Sequence, residues 1–367
     1  MSSGAVHGGD FIDAVGHDLR HIERLRDLVS ADVLDAWFDP APGVIAKVQE
    51  FLPDLLRTSP PVEADGLEHA IADARGLKPE YVLAGAGSSD LIFRLLPLLI
   101  ERGATALLTD PVYGEYPHVL TQLIGALVER CALSADDDFK VESDAMLEAV
   151  RRHTPALVVV VNPNSPTGVL WPREDVLRFL DGVPEQTEIL IDETYVDYAG
   201  REHSVEAEVE RRPNLFVMKS MSKAYALSGI RVGYLAGSPD LVKRMRSEMP
   251  PWSISFLSQV SAVEALADPA YYESRYEETR ARRETLAEEI EGIPGLRVYH
   301  SDANFLLVEC TDHLLANVLE GARAQGVYLR DCSSISPMLR SFFRVAVKNA
   351  EQNHRIATTL RRVLGFV

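Results

Sequence analysis

The sequence predicts an α/β fold: a mostly parallel sheet covered by helices, followed by a smaller α+β domain. Between about residues 80 and 240, short apolar runs alternate with helical patterns. The runs are continuous rather than alternating, as in strands buried on both faces. After Trp252 the texture changes to long Glu- and Arg-rich helical pattern over residues 256–292, then to short strands. The first set of strands is Tyr81-Val82-Leu83-Ala84, Ala106-Leu107-Leu108-Thr109, Leu157-Val158-Val159-Val160-Val161, Ile189-Leu190-Ile191-Asp192, Leu215-Phe216-Val217-Met218 and Val232-Gly233-Tyr234-Leu235. In the later region, Pro269 interrupts the helical pattern. Residues 296–299, 304–308, 327–329 and 342–347 read as strands, and residues near 350–363 as a closing helix. The domains expected are a segment 1–45 packing with the smaller domain, a large domain 46–255 and a small domain 256–367.

A chain of 367 residues is long enough for two domains sharing a cleft. Its formal charge of −18 disfavours nucleic acid and anionic membranes as partners. Cys131, Cys310 and Cys332 are odd in number, far apart and without metal-ligand spacing, which fits a reducing cytoplasm. No signal-peptide pattern or membrane-length apolar run is present, and no metal site is expected.

In open parallel sheets the ligand lies beyond the carboxyl ends of the strands, and five polar segments stand there. Ser220-Met221-Ser222-Lys223 and the following Arg231 combine an amine able to form a Schiff base with donors for a phosphate dianion. Gly85-Ala86-Gly87-Ser88-Ser89-Asp90 lets the backbone approach an anion at a helix start. It fits neither a dinucleotide fingerprint, because Asp90 stands at the third glycine's place, nor a Walker loop. Asp192 can keep a pyridine nitrogen protonated, and Tyr195 can reach a ring oxygen. Asn162-Pro163-Asn164-Ser165-Pro166-Thr167-Gly168 reads as a polar turn, and Tyr113 offers a stacking ring. Each has an ordinary structural reading alone: a solvated lysine, a tight turn, a helix-capping aspartate, a core aromatic. Their coincidence at the strand ends of one unit favours a single site.

With these motifs the chain resembles fold type I enzymes dependent on pyridoxal 5′-phosphate (PLP), in the group of histidinol-phosphate aminotransferase and threonine-phosphate decarboxylase. Besides the lysine motif, His7-Gly8-Gly9-Asp10, Met249-Pro250-Pro251-Trp252-Ser253, Leu329-Arg330-Asp331-Cys332-Ser333 and Phe343-Arg344-Val345-Ala346-Val347 carry the likeness. The resemblance implies a seven-stranded sheet and PLP as cofactor, with Lys223 bonded to it. Asp192 would face the ring nitrogen, Tyr195 the ring hydroxyl and Tyr113 the ring face. Gly87, Ser88, Ser89, Ser220, Ser222 and Arg231 would hold the phosphate. It implies Arg344 for the substrate carboxylate, Arg330 and His7 for the distal end, and a homodimer.

The chain departs from the group's pattern in three places. Asn164-Ser165 stands where Asn usually precedes Pro-Thr-Gly, leaving the ring-oxygen donor to one of the two. Arg57-Thr58-Ser59-Pro60 lacks the tyrosine that usually reaches the neighbouring subunit's phosphate. Asp35-Ala36-Trp37-Phe38-Asp39-Pro40 replaces an Asn-rich substrate loop, and Trp37 and Phe38 there suggest a substrate other than a simple phosphate ester. Function is therefore expected at Cα of an L-α-amino acid, by transamination or decarboxylation, with β-elimination or replacement as the alternative. A nicotinamide-dependent oxidoreductase would leave Lys223 and Asp192 without a task.

Overall fold

The computed structural model describes residues 8–366. In chain order the strands are β1 (Val29–Ser30), β2 (Val82–Gly85), β3 (Thr105–Asp110), β4 (Leu127–Ala132), β5 (Leu157–Val161), β6 (Glu188–Asp192), β7 (Leu215–Ser220) and β8 (Gly233–Ala236). They continue as β9 (Leu296–Val298), β10 (Phe305–Cys310), β11 (Val327–Tyr328), β12 (Arg330–Asp331) and β13 (Phe342–Ala346). β2 to β8 form one seven-stranded sheet in the order β2-β8-β7-β6-β5-β3-β4. All share one direction except β8, which pairs antiparallel with both β7 and β2. A reversed β8 begins at the edge where its neighbours end, so Arg231, two residues before it, joins the strand ends.

The predicted burial on both faces is present residue by residue. In β5, Val158 and Val160 pack into one apolar cluster and Leu157, Val159 and Val161 into the other. Ile189 and Ile191 of β6 and Leu215 and Val217 of β7 join the first, while Leu190, Phe216 and Met218 join the second. One strand of the seven-stranded sheet escaped the sequence reading, as did the two-residue strands β1 and β12. β4 lies at the sheet edge with Leu127, Glu129, Arg130 and Ala132 exposed, so it has no apolar run to betray it.

The four-stranded sheet β12-β13-β10-β9 is antiparallel. The helical stretch after Trp252 splits as expected at Pro269, which starts the second helix: Phe256–Leu266 is followed by Pro269–Glu291. β1 pairs parallel with β11, and Ala346 N donates to Ala31 O, so the chain around residue 30 is tied to the strands that come after residue 300. No described helix is long and apolar enough to cross a membrane.

Beneath the strand ends lies a set of paired buried charges. Arg75 meets Asp197 through two hydrogen bonds of 3.0 and 3.3 Å, and its Nε lies 3.7 Å from Glu206. Glu206 in turn accepts from Tyr234 at 2.7 Å. Lys219 of β7 meets Glu193, next to Asp192, at 2.6 Å. These contacts fasten the segment after β6 to its neighbours. Burial alone would raise the Asp197 carboxyl, but Arg75 and then Lys219 outweigh it and hold it well below the usual range. A depressed folded-state value contributes stability that is full above the unfolded value of about 4 and is lost as pH falls toward the folded value. Asp197→Ala, which strands Arg75 without its partner, is therefore expected to destabilise the chain by about 3–5 kcal/mol in urea unfolding at neutral pH. The gap from wild type should narrow below about pH 4.

Candidate active site

The polar groups converge on a cleft at the common edge of β5, β6 and β7, closed from the other side by β13 and the segment before and after β1. Val161, Asp192 and Ser220, the last residues of these three strands, line it, as do Ser88, Tyr113, Ser165, Tyr195, Lys223 and Arg344. Thus most of the residues singled out from five separate segments face one another.

Asp192 is 3% exposed, and its hydrogen-bond donors are all neutral. Oδ1 accepts from Thr194 N at 2.9 Å and Thr194 Oγ1 at 2.6 Å, and Oδ2 from Tyr116 Oη at 2.7 Å. Burial raises its carboxyl above the ordinary value, and the hydrogen bonds from Thr194 and Tyr116 only partly oppose this. A buried carboxylate on the cleft wall, solvated by three neutral donors, suits a cationic ring nitrogen. Tyr113 presents its ring to the cleft, edge-on to Tyr116 with centroids 6.1 Å apart.

The anion cradle is built on Gly87 (φ +95°), just before the helix Ser88–Leu99. A side chain there would strain the backbone and meet Arg231 Nη2 at 2.8 Å, so glycine lets the guanidinium close over the helix start. Arg231 Nη1 donates to Ser222 Oγ at 3.2 Å and to Ser228 O at 2.9 Å. Ser88 and Ser220 line the cleft, whereas Ser89 donates to Glu115 at 2.9 Å and serves the loop. Lys223, in the short turn Met221–Ala224, is held by Tyr198 Oη, which donates to the Lys223 carbonyl at 2.8 Å. Its Nζ lies 2.9 Å from Asp35.

Between Asn164 and Ser165 the geometry chooses. Asn164 Nδ2 donates to Pro111 O and Thr167 Oγ1, each at 3.1 Å, so Asn164 braces the turn behind the cleft. Ser165 lines the cleft and its Oγ accepts from Arg344 Nη1 at 3.1 Å. Arg344 is 8% exposed, donates also to Asp32 O at 3.3 Å, and has a buried Nε with no hydrogen-bond partner. Arg330 stands opposite Arg344 across the β12–β13 pair, lines an adjoining cavity and donates to Ser334 Oγ at 3.2 Å. His7 lies outside the described residues.

Trp37 and Phe38 are not substrate-facing. Trp37 Nε1 donates to Thr279 at 2.8 Å and its ring lies 4.2 Å beneath the Arg282 guanidinium, on the helix Pro269–Glu291. Phe38 is buried edge-on to Tyr271, Tyr272 and Tyr276 of that helix. Apolar area draws the loop's aromatics to that helix, while Asp32, Val33 and Leu34 of the same segment line the cleft. Sequence reasoning missed Asp32, Thr194, Tyr116 and Asp35. Asp32 accepts from Gly9 N at 2.6 Å and Asp10 N at 3.0 Å, pinning Gly8 against the cleft. Thr194 and Tyr116 sat inside segments already singled out, but nothing in them marked an Asp192 partner.

Residues 31–360 match the family model described as aminotransferase class I and II. The chain is 30% identical over 358 residues to histidinol-phosphate aminotransferase 2 of Carboxydothermus hydrogenoformans, covering 96% of each. Its fold superposes on histidinol-phosphate aminotransferase from Sinorhizobium meliloti, solved in complex with pyridoxal-5′-phosphate, with a TM-score of 0.84, 23% identity and 99% of each chain covered. L-threonine-O-3-phosphate decarboxylase from Porphyromonas gingivalis gives 0.77 at 21% identity, with 90% of this chain and 98% of that one covered.

Removing one of the three donors to buried Asp192 should cost stability before any ligand binds. Tyr116→Phe is expected to lower the unfolding free energy of the ligand-free chain by about 1–3 kcal/mol in urea titration. An unchanged midpoint would mean that Tyr116 does not solvate Asp192.

Proposed function

We infer, because this chain belongs to the aminotransferase class I and II family and its cleft residues suit the group, that it is a PLP enzyme acting at Cα of an L-α-amino acid by transamination or decarboxylation. PLP is the cofactor. The observation that carries the reading is the cleft itself: a lysine, a buried carboxylate and an anion cradle at adjacent strand ends, opposite a buried arginine.

Bound there, the cofactor supplies a cationic ring that draws electrons from the bonds at Cα. Lys223 would hold the cofactor's aldehyde carbon and, when released, carry a proton at Cα. Asp192 would keep the proton on the ring nitrogen, supported by Tyr116 and Thr194. Ser88, Ser220 and the helix start would receive the phosphate, with Arg231, Ser222 and Gly87 behind them. Tyr113 would cover one ring face and exclude water. Tyr195, whose ring lies edge-on to Phe305 with centroids 5.2 Å apart, would donate to the ring oxygen, and Ser165 would orient Arg344. The unpartnered Nε of Arg344 supports a substrate carboxylate as its bidentate partner.

The reason for excluding a phosphate ester is gone, since Trp37 and Phe38 turn away from the cleft. Arg330 and Arg344 instead stand directly opposite each other in the small sheet, and two cations so placed favour an anion near them. This supports an anionic distal group on the substrate, received on the Arg330 side. We also propose a homodimer. Ile45, Phe51, Leu52 and Leu56 expose apolar surface along the helix Pro42–Arg57, where a second copy would cover it.

The test of function is a panel of amino acids, with and without anionic side chains, read together for keto acid, CO₂ and ammonia. Keto acid or CO₂ from the anionic members supports the reading; ammonia with pyruvate-type products alone would replace it with β-elimination. Borohydride reduction and peptide mapping should place the pyridoxyl group on Lys223, not on Lys219. Asp192→Asn should retain the cofactor but lose about 100-fold or more in kcat, an effect on the order of 3 kcal/mol. Light scattering should give twice the 40.6 kDa chain mass.

A further inference from the structure

The loop between β1 and the helix Pro42–Arg57 brings a carboxylate to the reactive lysine. Asp35 Oδ1 lies 2.9 Å from Lys223 Nζ. A second amine stands behind it: Lys348 Nζ donates to the Asp35 carbonyl at 3.4 Å. Lys348 comes just after β13, four residues beyond Arg344, and is only 7% exposed. Its backbone N–H is held by Asn353 Oδ1 at 2.8 Å. One strand thus delivers both the carboxylate clamp and a buried amine, and the loop carbonyl is the amine's hydrogen-bond acceptor.

We propose that Asp35 is a positioning residue for Lys223, its carboxylate holding the lysine ammonium in the cleft whenever that lysine is not covalently bonded. Lys348 anchors the loop that carries Asp35. The proposal rests on Lys223 being the cofactor lysine. Burial would raise the Asp35 carboxyl, but Lys223, Ser228 and Lys348 together hold it below its ordinary value. Burial pushes the Lys348 ammonium down to about 8 against the pull of Asp35 and Asp32, and Lys223 pushes it further down. The other titratable or charged groups facing this cluster are Tyr195 and Tyr198 after β6 and Arg344 on β13.

The consequence is a lysine kept in place after it leaves the cofactor. The contact holds the Lys223 amine at one place in the cleft rather than leaving its four-carbon stem to swing free. The loop is remote in sequence from the lysine motif, yet it sets that motif's resting state.

Trace acetylation with acetic anhydride at one fixed pH, followed by peptide mapping, reads how open each lysine is to the reagent in the full-length chain freed of cofactor. Asp35→Asn is expected to raise the labelling of Lys223 several-fold, because the amine then loses the carboxylate that holds it against the cleft. Asp35→Glu should restore most of the protection, and exposed Lys243 should label equally in all three chains. Unchanged labelling of Lys223 in Asp35→Asn overturns the proposal, and so does a gain that Asp35→Glu fails to reverse. Failure of the cofactor assignment would show instead as no visible absorbance change when PLP is added, leaving the labelling result intact.

Discussion

A sheet buried on both faces has no room for polar chemistry except at the ends of its strands, and this constraint organises the molecule. Every side chain of β5 is buried among apolar neighbours, alternately on one face and the other. The same holds through the middle of β6 and β7. Charged groups stand at or next to the termini of these strands, Glu188 where β6 starts, Asp192 where it ends and Lys219 one residue before the end of β7, and six strands of common direction finish at one edge. The seventh, β8, runs the other way and so contributes the residues before it rather than those after it. The cradle at Gly87, the carboxylate of Asp192 and the amine of Lys223 are neighbours because burial left them the same edge.

The charges at that edge are arranged in two ways. Beneath the cleft, Arg75 with Asp197 and Lys219 with Glu193 are paired, and their task is to hold the segment after β6 still. In the cleft the balance is left open. Asp192 has only neutral donors, and Arg344 keeps a buried nitrogen without a partner. Groups buried in this state carry a desolvation cost that a ligand of opposite charge removes. That contrast sets Asp192 and Arg344 apart from the paired charges beneath the cleft more sharply than residue type does, since both sets include Arg and Asp.

The segment around β1 joins the two sheets at the site. Its pairing with β11 ties it to one side, while Asp32 accepts from the backbone near Gly8 and Asp35 reaches Lys223. Arg344, on β13, completes the wall by donating to Ser165 and to the Asp32 carbonyl. The cleft is thus closed by residues far apart in the chain, Gly8 and Asp32 on one side and Arg344 on the other.

The sequence by itself determined the strands β2, β3 and β5 to β8, because each is a short continuous apolar run. It also pointed to the lysine, aspartate and glycine segments, because their coincidence at the strand ends of one unit favours a single site over their separate structural readings. It could not show β4, whose exposed edge carries no apolar run. Nor could it say which way the residues of 32–40 point, for a loop has no period from which to read a face. The tertiary structure decided that Trp37 and Phe38 go to the helix Pro269–Glu291 while Asp35 goes to Lys223. It decided that Ser165 faces the cleft and Asn164 the turn, and that Tyr116 serves Asp192. These are pairings across long chain separations, set by which groups could be buried and which had to be solvated, and no local pattern records them.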